Sequence, residues 1–396
     1  MHKITVHASI ARRTSFTAPS VASLRTGECM LIEPEPDERA PDALIVLIDS
    51  ITAHTSTMAT SSLSSGTMTV LGSVIDGAIG EPPGKIPHFT GEIRRLPEAI
   101  ATSFFSTVPR REDPVTKEYV QPADLRVGYL LTDDKVPVAF SAAGLDRHSV
   151  MLAQSGSGKS YGLGVLLEEI VAKTRLRIVV FDPNDDFTLL AQSLSVVLDE
   201  SVHAAAPCIV DAVTQDRFLL PTEVPPRHSS LTVVRFEGAT NMDMDKAAAR
   251  LLHQLWSARA ARIPTLIVID EAHNLAPSDD PLKESLSPLT RIAAEGRKFG
   301  LWLFLVSQRP QKLNANLISQ CDNLILMRLT NGSDLQHVAS SFSGVSQSLM
   351  SLCTGFDKGE ALAAGRLVRT ATLFRFRRRL SAEGGSDLSL AWATSS

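Results

Sequence analysis

The sequence predicts an α/β protein in which a mainly parallel sheet, covered by helices on both faces, follows a small N-terminal β barrel. Three observations lead there. From about Arg147 onward, short apolar and β-branched runs alternate with longer stretches of helical character. Before that point, short strand-like runs succeed one another with frequent turn residues. The first apolar run of the second half leads straight into a glycine-rich segment that opens a helix.

The 396 residues suffice for two or three domains. With 44% hydrophobic and 21% charged residues, a disordered or collagen-like chain is excluded. The longest apolar runs, such as Leu301 to Val306, fall far short of the roughly 18 residues that a membrane-spanning helix needs. Cys29, Cys208, Cys321 and Cys353 are widely separated and form no C-x-x-C pair. This argues against a zinc ribbon or a disulfide framework and fits packed thiols in a reducing, cytoplasmic compartment. A net charge of -4 leaves no face-wide attraction to nucleic acid, so any DNA contact must be local.

Taken in order, Ile4, Val6 and Ala8 alternate with polar neighbours and predict a strand, in preference to the presequence that the Arg- and Ser-rich start resembles. Ala43 to Ile48 predicts a buried strand, and Met68, Val70 and Leu71 open another. The Ser- and Thr-rich stretch Thr52 to Gly66 between them predicts a mobile loop. Pro82, Pro83, Gly84 and Pro87 break the chain, and Pro97 opens a short helix to Phe105. Tyr129 to Leu131 and Val136 to Phe140 form a predicted hairpin. Core strands are predicted at 149–153, 177–181, 231–235, 266–269, 302–306 and 323–327. The expected organisation is a barrel over 1–90, a proline-rich connector and hairpin over 91–145, a nucleotide-binding core over 146–380 and a tail over 381–396.

Ala153-Gln154-Ser155-Gly156-Ser157-Gly158-Lys159-Ser160 matches G-x-x-x-x-G-K-[ST] except at its first position. Gly156 and Gly158 let backbone N–H groups turn toward a phosphate at a helix start, whose dipole favours anions. The strand before and the helix after favour this reading over a glycine-rich turn that binds nothing. Gln154, Ser155, Gly156, Ser157, Gly158, Lys159, Ser160 and Tyr161 form the expected nucleotide-binding set. The expected roles are a point charge from Lys159 against the β- and γ-phosphates of ATP and a hydroxyl from Ser160 for Mg²⁺.

Thr265 to Ile269 runs into Asp270-Glu271-Ala272-His273. At a strand's carboxyl end, Asp270 suits the Mg²⁺ shell and Glu271 the orientation and deprotonation of the attacking water. His273 beside them suits a hydrogen-bonded structural role better than catalysis. Gln308 ends an apolar run where a sheet neighbour could touch the γ-phosphate or the lytic water. Arg297, in the loop Glu295 to Gly300, and Arg147, before the first core strand, are candidates for the positive charge opposite the transition state; surface ion pairs are the alternative for both. With one ATPase lobe in the chain, such an arginine comes most naturally from a neighbouring subunit of an oligomer.

Together these motifs resemble the HerA clade of the FtsK–HerA pumping ATPases. The likeness extends from about Val127 to the C-terminus. It rests on Arg147-His148, the phosphate loop, Asp182-Pro183, Asp270 to Asn274, Glu295 to Gly300, Val306 to Pro310, Arg328 to Asn331 and the closing Gly384-Gly385 to Trp392 segment. The resemblance implies a RecA-like P-loop NTPase core that hydrolyses ATP with Mg²⁺ in a hexameric ring moving double-stranded DNA. It further implies that the barrel docks a partner, typically the nuclease NurA in DNA-end processing, that Arg297 is a trans-acting finger and that Arg147 is a second arginine at the site. Three departures stand out: Ala153 in place of glycine; Asp182-Pro183-Asn184-Asp185-Asp186-Phe187 where the family tends to carry Asp-Pro-x-Gly-Glu-Tyr; and a short stretch from Phe187 to Leu231 where larger members insert a helical bundle.

Two basic clusters are candidate DNA contacts: Arg291, Arg297, Lys298, Arg309 and Lys312, and the run of arginines from Arg366 to Arg379. Phe374 and Phe376 alternate with arginines in the second, which favours a charged edge strand instead. Lys283 is a weaker pore candidate. The competing function is an ATPase platform that organises and gates an antiphage defence effector, sirtuin-like or nuclease. A two-lobed helicase is disfavoured because too little chain follows the Asp-Glu-Ala-His tetrad.

Overall fold

In the computed structural model, residues 2–10, 12–19, 24–36, 41–54, 63–193, 208–212, 218, 220–223 and 228–384 are described. Alternation of buried and exposed positions builds the N-terminal strands: β1 (His2–Val6), β2 (Arg13–Pro19), β3 (Cys29–Pro34), β4 (Ala43–His54), β5 (Leu63–Ile75), β6 (Ala78–Gly80) and β7 (Phe89–Arg95). They pair in the order β2-β1-β7-β3-β4-β5, and β2 also pairs with β5, which closes a six-stranded barrel; β6 extends β5 as a hairpin. Ile4, Phe16, Ile32, Val46 and Met68 fill it. Closure leaves these six strands without a free edge.

The described parts of the Ser- and Thr-rich stretch expected to be a loop, residues 52–54 and 63–66, are strand. β4 continues to His54 and β5 starts at Leu63, and residues 55–62 lie outside the described set. Hydroxyl side chains pair across the ladder, as Ser50 and Thr67 do at 2.8 Å. Gly66 sits where the backbone approaches Phe16, and a Cβ there would lie 2.7 Å from that ring. Polar composition therefore masked a strand that closes the barrel. The barrel also runs past residue 90, because Phe89, Gly91 and Ile93 alternate inward along β7.

Helix α1 (Glu98–Ser106) and a small hairpin, β8 (Arg111–Glu112) with β9 (Tyr119–Val120), lead to β10 (Asp124–Leu130) and β11 (Pro137–Ser141). These two strands belong to the core sheet rather than to a connector. Seven core strands run parallel: β12 (His148–Leu152), β13 (Arg177–Asp182), β14 (Cys208–Asp211), β15 (Ser230–Arg235), β16 (Thr265–Ile269), β17 (Leu301–Ser307) and β18 (Cys321–Leu326). Their spatial order is β18-β12-β17-β16-β13-β15-β14. Beyond β18 the sheet continues antiparallel through β19 (Glu360–Ala364), β20 (Thr372–Phe376), β10 and β11.

On one face Met151, Ile178 and Val268 pack against α1, α2 (Lys159–Lys173) and α3 (Thr188–Gln192). On the other, Val150, Val179 and Ile267 pack against α4 (Asn241–Ser257), α5 (Leu286–Glu295), α6 (Ala315–Ser319), α7 (Gly332–Ser341) and α8 (Gln347–Ser351). Burial on both faces is why these strands read as continuous apolar runs.

The expected edge strand at Phe374 and Phe376 is the interior strand β20, held between β19 and β10. A period of two is the same for edge and interior strands, so the pattern could not tell them apart. The chain after β20 crosses α2, where the fully buried Glu168 accepts from the backbone N–H groups of Leu380 and Ser381 at 2.9 and 2.7 Å and pairs with Arg377 at 2.9 Å. Residues 381–384 are thus part of the core, and the family-like segment from Gly385 to Trp392 lies outside the described residues. All four cysteines are unpaired. Among the described residues, no helix is long and apolar enough to cross a membrane.

Candidate nucleotide site

The phosphate loop is pinned where β12 leaves the sheet. Ala153 N–H donates to the Ser307 carbonyl at 3.2 Å, and Gln154 N–H donates to the Arg328 carbonyl at 2.8 Å. Ala153 is not among the residues with positive φ, so its methyl group replaces the usual glycine hydrogen without backbone strain. Gly156 and Gly158, at φ 74° and 91°, supply the left-handed turns that only glycine adopts readily. The Gln154 side-chain oxygen accepts from Thr330 N–H at 3.1 Å and Thr330 Oγ1 at 2.9 Å, which ties the loop to the Arg328–Asn331 segment. Gly359 N–H donates to the Ser157 carbonyl at 2.9 Å, and Lys358 lies beside Gly158. No motif marks Lys358. Ser155 is exposed, and the Tyr161 ring packs into the core, its hydroxyl accepting from Arg379 N–H at 2.7 Å.

Lys159 and Ser160 open α2. The Lys159 ammonium is ion-paired with Asp270 and lies 3.0 Å from Glu271 Oε1. Burial alone would lower its pKa, but the two carboxylates outweigh this and hold it above the ordinary value. Burial raises the Asp270 carboxyl above its ordinary range, against the pull of Lys159. Asp270 Oδ2 and Glu271 Oε2 are buried and accept no hydrogen bond. Glu271 takes a left-handed conformation, φ 47°, directly after the Asp270 strand end, which aims the two carboxylates at one lysine.

Ser160 Oγ donates to Asp186 Oδ2 at 2.7 Å. Asp186 follows β13, and its loop is shaped by Asp182, which accepts from the N–H groups of Asp186 and Phe187 at 3.0 and 2.8 Å. Burial pushes the Asp182 carboxyl up to about 7, helped by the neighbouring charges of Asp186 and Asp270. Asp186 is the site neighbour that sequence reasoning left without a role. Its signal was its position at the glutamate of the family's Asp-Pro-x-Gly-Glu-Tyr pattern.

His273 is buried, with Nδ1 3.1 Å from Ser307 Oγ and 3.3 Å from Glu271 Oε2. Burial, with the positive charges of Arg309, Lys159 and Lys312, lowers its pKa to about 4, so the ring is neutral at pH 7. Gln308 follows β17, the strand between β12 and β16, and therefore stands between the phosphate loop and the acidic pair.

The two arginines are elsewhere. Arg147 precedes β12 and Arg297 precedes β17, so both sit at the amino ends of the parallel strands, opposite the phosphate loop of the same chain. They converge on Asp322, at 3.3 and 3.5 Å. Lys159, Ser160, Asp270, Glu271 and Gln308 thus gather at one end of the sheet, and Arg147 and Arg297 at the other.

A phosphate loop leading into a helix, with an acidic strand end two strands away in the sheet, is the arrangement of a P-loop NTPase. The family profile described as "Helicase HerA, central domain" matches residues 125–230, which contain that loop and the Asp182 segment. A DNA double-strand break repair helicase HerA of Pyrococcus furiosus is 34% identical over 142 residues, covering 36% of this chain and 26% of that protein. In this region the core is similar to HerA-type ATPases. A protein named as a probable helicase of Methanocaldococcus jannaschii is 23% identical over 371 residues, covering 71% of this chain and 72% of that one. The chain thus matches only about a quarter of the Pyrococcus protein and most of the Methanocaldococcus one. Among solved structures, VirB4 of Thermoanaerobacter pseudethanolicus aligns with a TM-score of 0.46 at 13% identity, covering 63% of this chain and 96% of that one.

The donor set fits a nucleotide with Mg²⁺. The loop presents N–H groups and Lys159, Ser160 supplies a hydroxyl, and Asp270 and Glu271 each keep a buried oxygen without a hydrogen bond. Among the described residues no group of three or more His, Cys, Asp or Glu could hold a metal ion.

Proposed function

We propose that this HerA-type chain is an ATP-hydrolysing motor that moves double-stranded DNA as a hexameric ring, with a partner nuclease docked on the barrel. The observation that carries the reading is the buried pairing of Lys159 with Asp270 and Glu271 beside the phosphate loop. Phosphates entering the loop compete for the Lys159 ammonium and release both carboxylates. Bound by Ser160 and Asp270, Mg²⁺ would neutralise charge on the β- and γ-phosphates. Glu271 then orients water and takes its proton, and Gln308 holds the water or the γ-phosphate. Arg147 and Arg297 face the wrong way to serve their own chain's nucleotide, which supports a neighbour supplying them in a ring. The names of the relatives support DNA as the track. The test is ATPase activity with and without duplex DNA, and movement along duplex by the Glu271→Gln ring. Stimulation by DNA, with hydrolysis and movement both lost in the variant, is expected; absence of DNA stimulation even with the partner present overturns the motor.

A second reading, an ATPase platform gating a defence effector, is favoured by the pairing of the C-terminal arginines. Arg375 pairs with Glu360, and Arg377 with Glu168 and Glu169, so these two are not free for phosphates. Effector control by a ring that never moves on DNA would select it.

A further inference from the structure

The core sheet carries a second basic site at its amino end, away from the phosphate loop. A cavity of about 530 Å³ opens between α1, β11, the connection from β19 to β20 and the barrel turn that bears Arg12. Arg12, Arg111, Arg366 and Arg369 line it, with Phe104 and Phe105 on the apolar wall, and no aspartate or glutamate lines it. Among the described residues, the side chains of Arg12, Arg366 and Arg369 make no hydrogen bond or ion pair. Arg111 is held by the Ala143 carbonyl at 2.8 Å and by Asp146 at 3.7 Å. The Arg369 guanidinium lies 5.3 Å from the centre of the Phe104 ring. Glu81 and Asp124 act on Arg369 from a distance, but neither lines the cavity.

Unpaired guanidinium groups around one cavity repel one another, and an anion bound among them removes that repulsion. Arginine's planar fork suits phosphate oxygens in particular. The aromatic and aliphatic wall suits a flat, weakly polar group attached to the anion. The volume falls within the roughly 300–1,000 Å³ of small-molecule sites and is too confined for a duplex.

We propose that this cavity binds a nucleotide as a second, non-hydrolytic site, with phosphates on Arg366, Arg369 and Arg12 and the base against the phenylalanine wall. No aspartate, glutamate or histidine that could act as a general base lines it, and the phosphate loop lies elsewhere. The inference goes beyond the proposed ATPase reaction and does not depend on it.

The test is calorimetric titration of ADP and of pyrophosphate into the full-length Lys159→Ala chain, whose phosphate loop has lost its lysine. Binding of both probes is expected to persist there and to weaken about tenfold or more in Lys159→Ala/Arg366→Ala and in Lys159→Ala/Arg369→Ala. Arg12→Ala lies on an exposed turn and keeps the core intact; in the same background it should weaken binding about threefold or more. Failure of the Lys159→Ala chain to bind either probe overturns the site, as does binding unchanged by all three arginine variants. Capture of a short single-stranded oligonucleotide in place of ADP overturns the free nucleotide as ligand.

Discussion

Nδ1 of His273 lies 3.3 Å from Oε2 of Glu271, and the same nitrogen lies 3.1 Å from Ser307 Oγ. The imidazole is buried and its pKa is lowered to about 4. Its folded-state value lies below the ordinary 6.5, so the neutral ring contributes stability that is fully present above pH 6.5 and is lost as pH falls toward 4. The wild type should lose up to about 3 kcal/mol more than His273→Asn between pH 7 and pH 4. Denaturant midpoints at pH 7, 5.5 and 4 measure this, and parallel curves for the two chains would refute it.

Removing Lys159 leaves Asp270 and Glu271 buried without their counter-charge. Lys159→Ala should cost about 3–5 kcal/mol at pH 8 and less toward pH 5, because burial raises the Asp270 carboxyl and makes it easier to protonate. Thermal melts at the two pH values check the sign; a penalty that grows toward pH 5 counts against the pairing.

If Arg297 serves a neighbour, Arg297→Ala should lower ATP turnover by about 10³-fold while nucleotide binding survives. Mixed with Lys159→Ala chains, it should regain activity at those interfaces where an intact loop meets an intact arginine. Mixed rings verified by mass and still inactive would sink the trans assignment.

Glu168 holds the chain after β20 against α2 through Arg377 and the backbone of Leu380 and Ser381. Glu168→Ala leaves these donors buried and unpaired, for a loss of about 3 kcal/mol. Proteolysis should then cut after Phe376 in the variant and not in the wild type. Equal resistance would show that the clasp contributes nothing.

Gly162 faces Phe376, and a Cβ there would lie 2.6 Å from the ring. Gly162→Ala should destabilise the chain by about 1–3 kcal/mol despite alanine's better helix propensity. Adding Phe376→Leu should recover part of the loss, as equilibrium unfolding of the double variant would show.

The central strands were legible because each is a run of apolar residues buried on both faces, and β12, β13, β15, β16, β17 and β18 lie within a few residues of their predicted places. The barrel's long strands were partly hidden, because hydroxyl side chains that pair with each other, as Ser50 and Thr67 do, leave no apolar signal at the described ends of β4 and β5.

The order of residues along the chain determined the phosphate loop and the Asp270-Glu271 strand end, because each is a contiguous segment whose chemistry needs only its own backbone turn. Tertiary structure decided which segments meet. It placed β10, β11, β19 and β20 in the core sheet, set Asp186 against Ser160, and drew Arg147 and Arg297 together around Asp322 at the far end. Those relations depend on the pairing of strands distant in the chain, and a strand's alternation specifies its faces but not its neighbours.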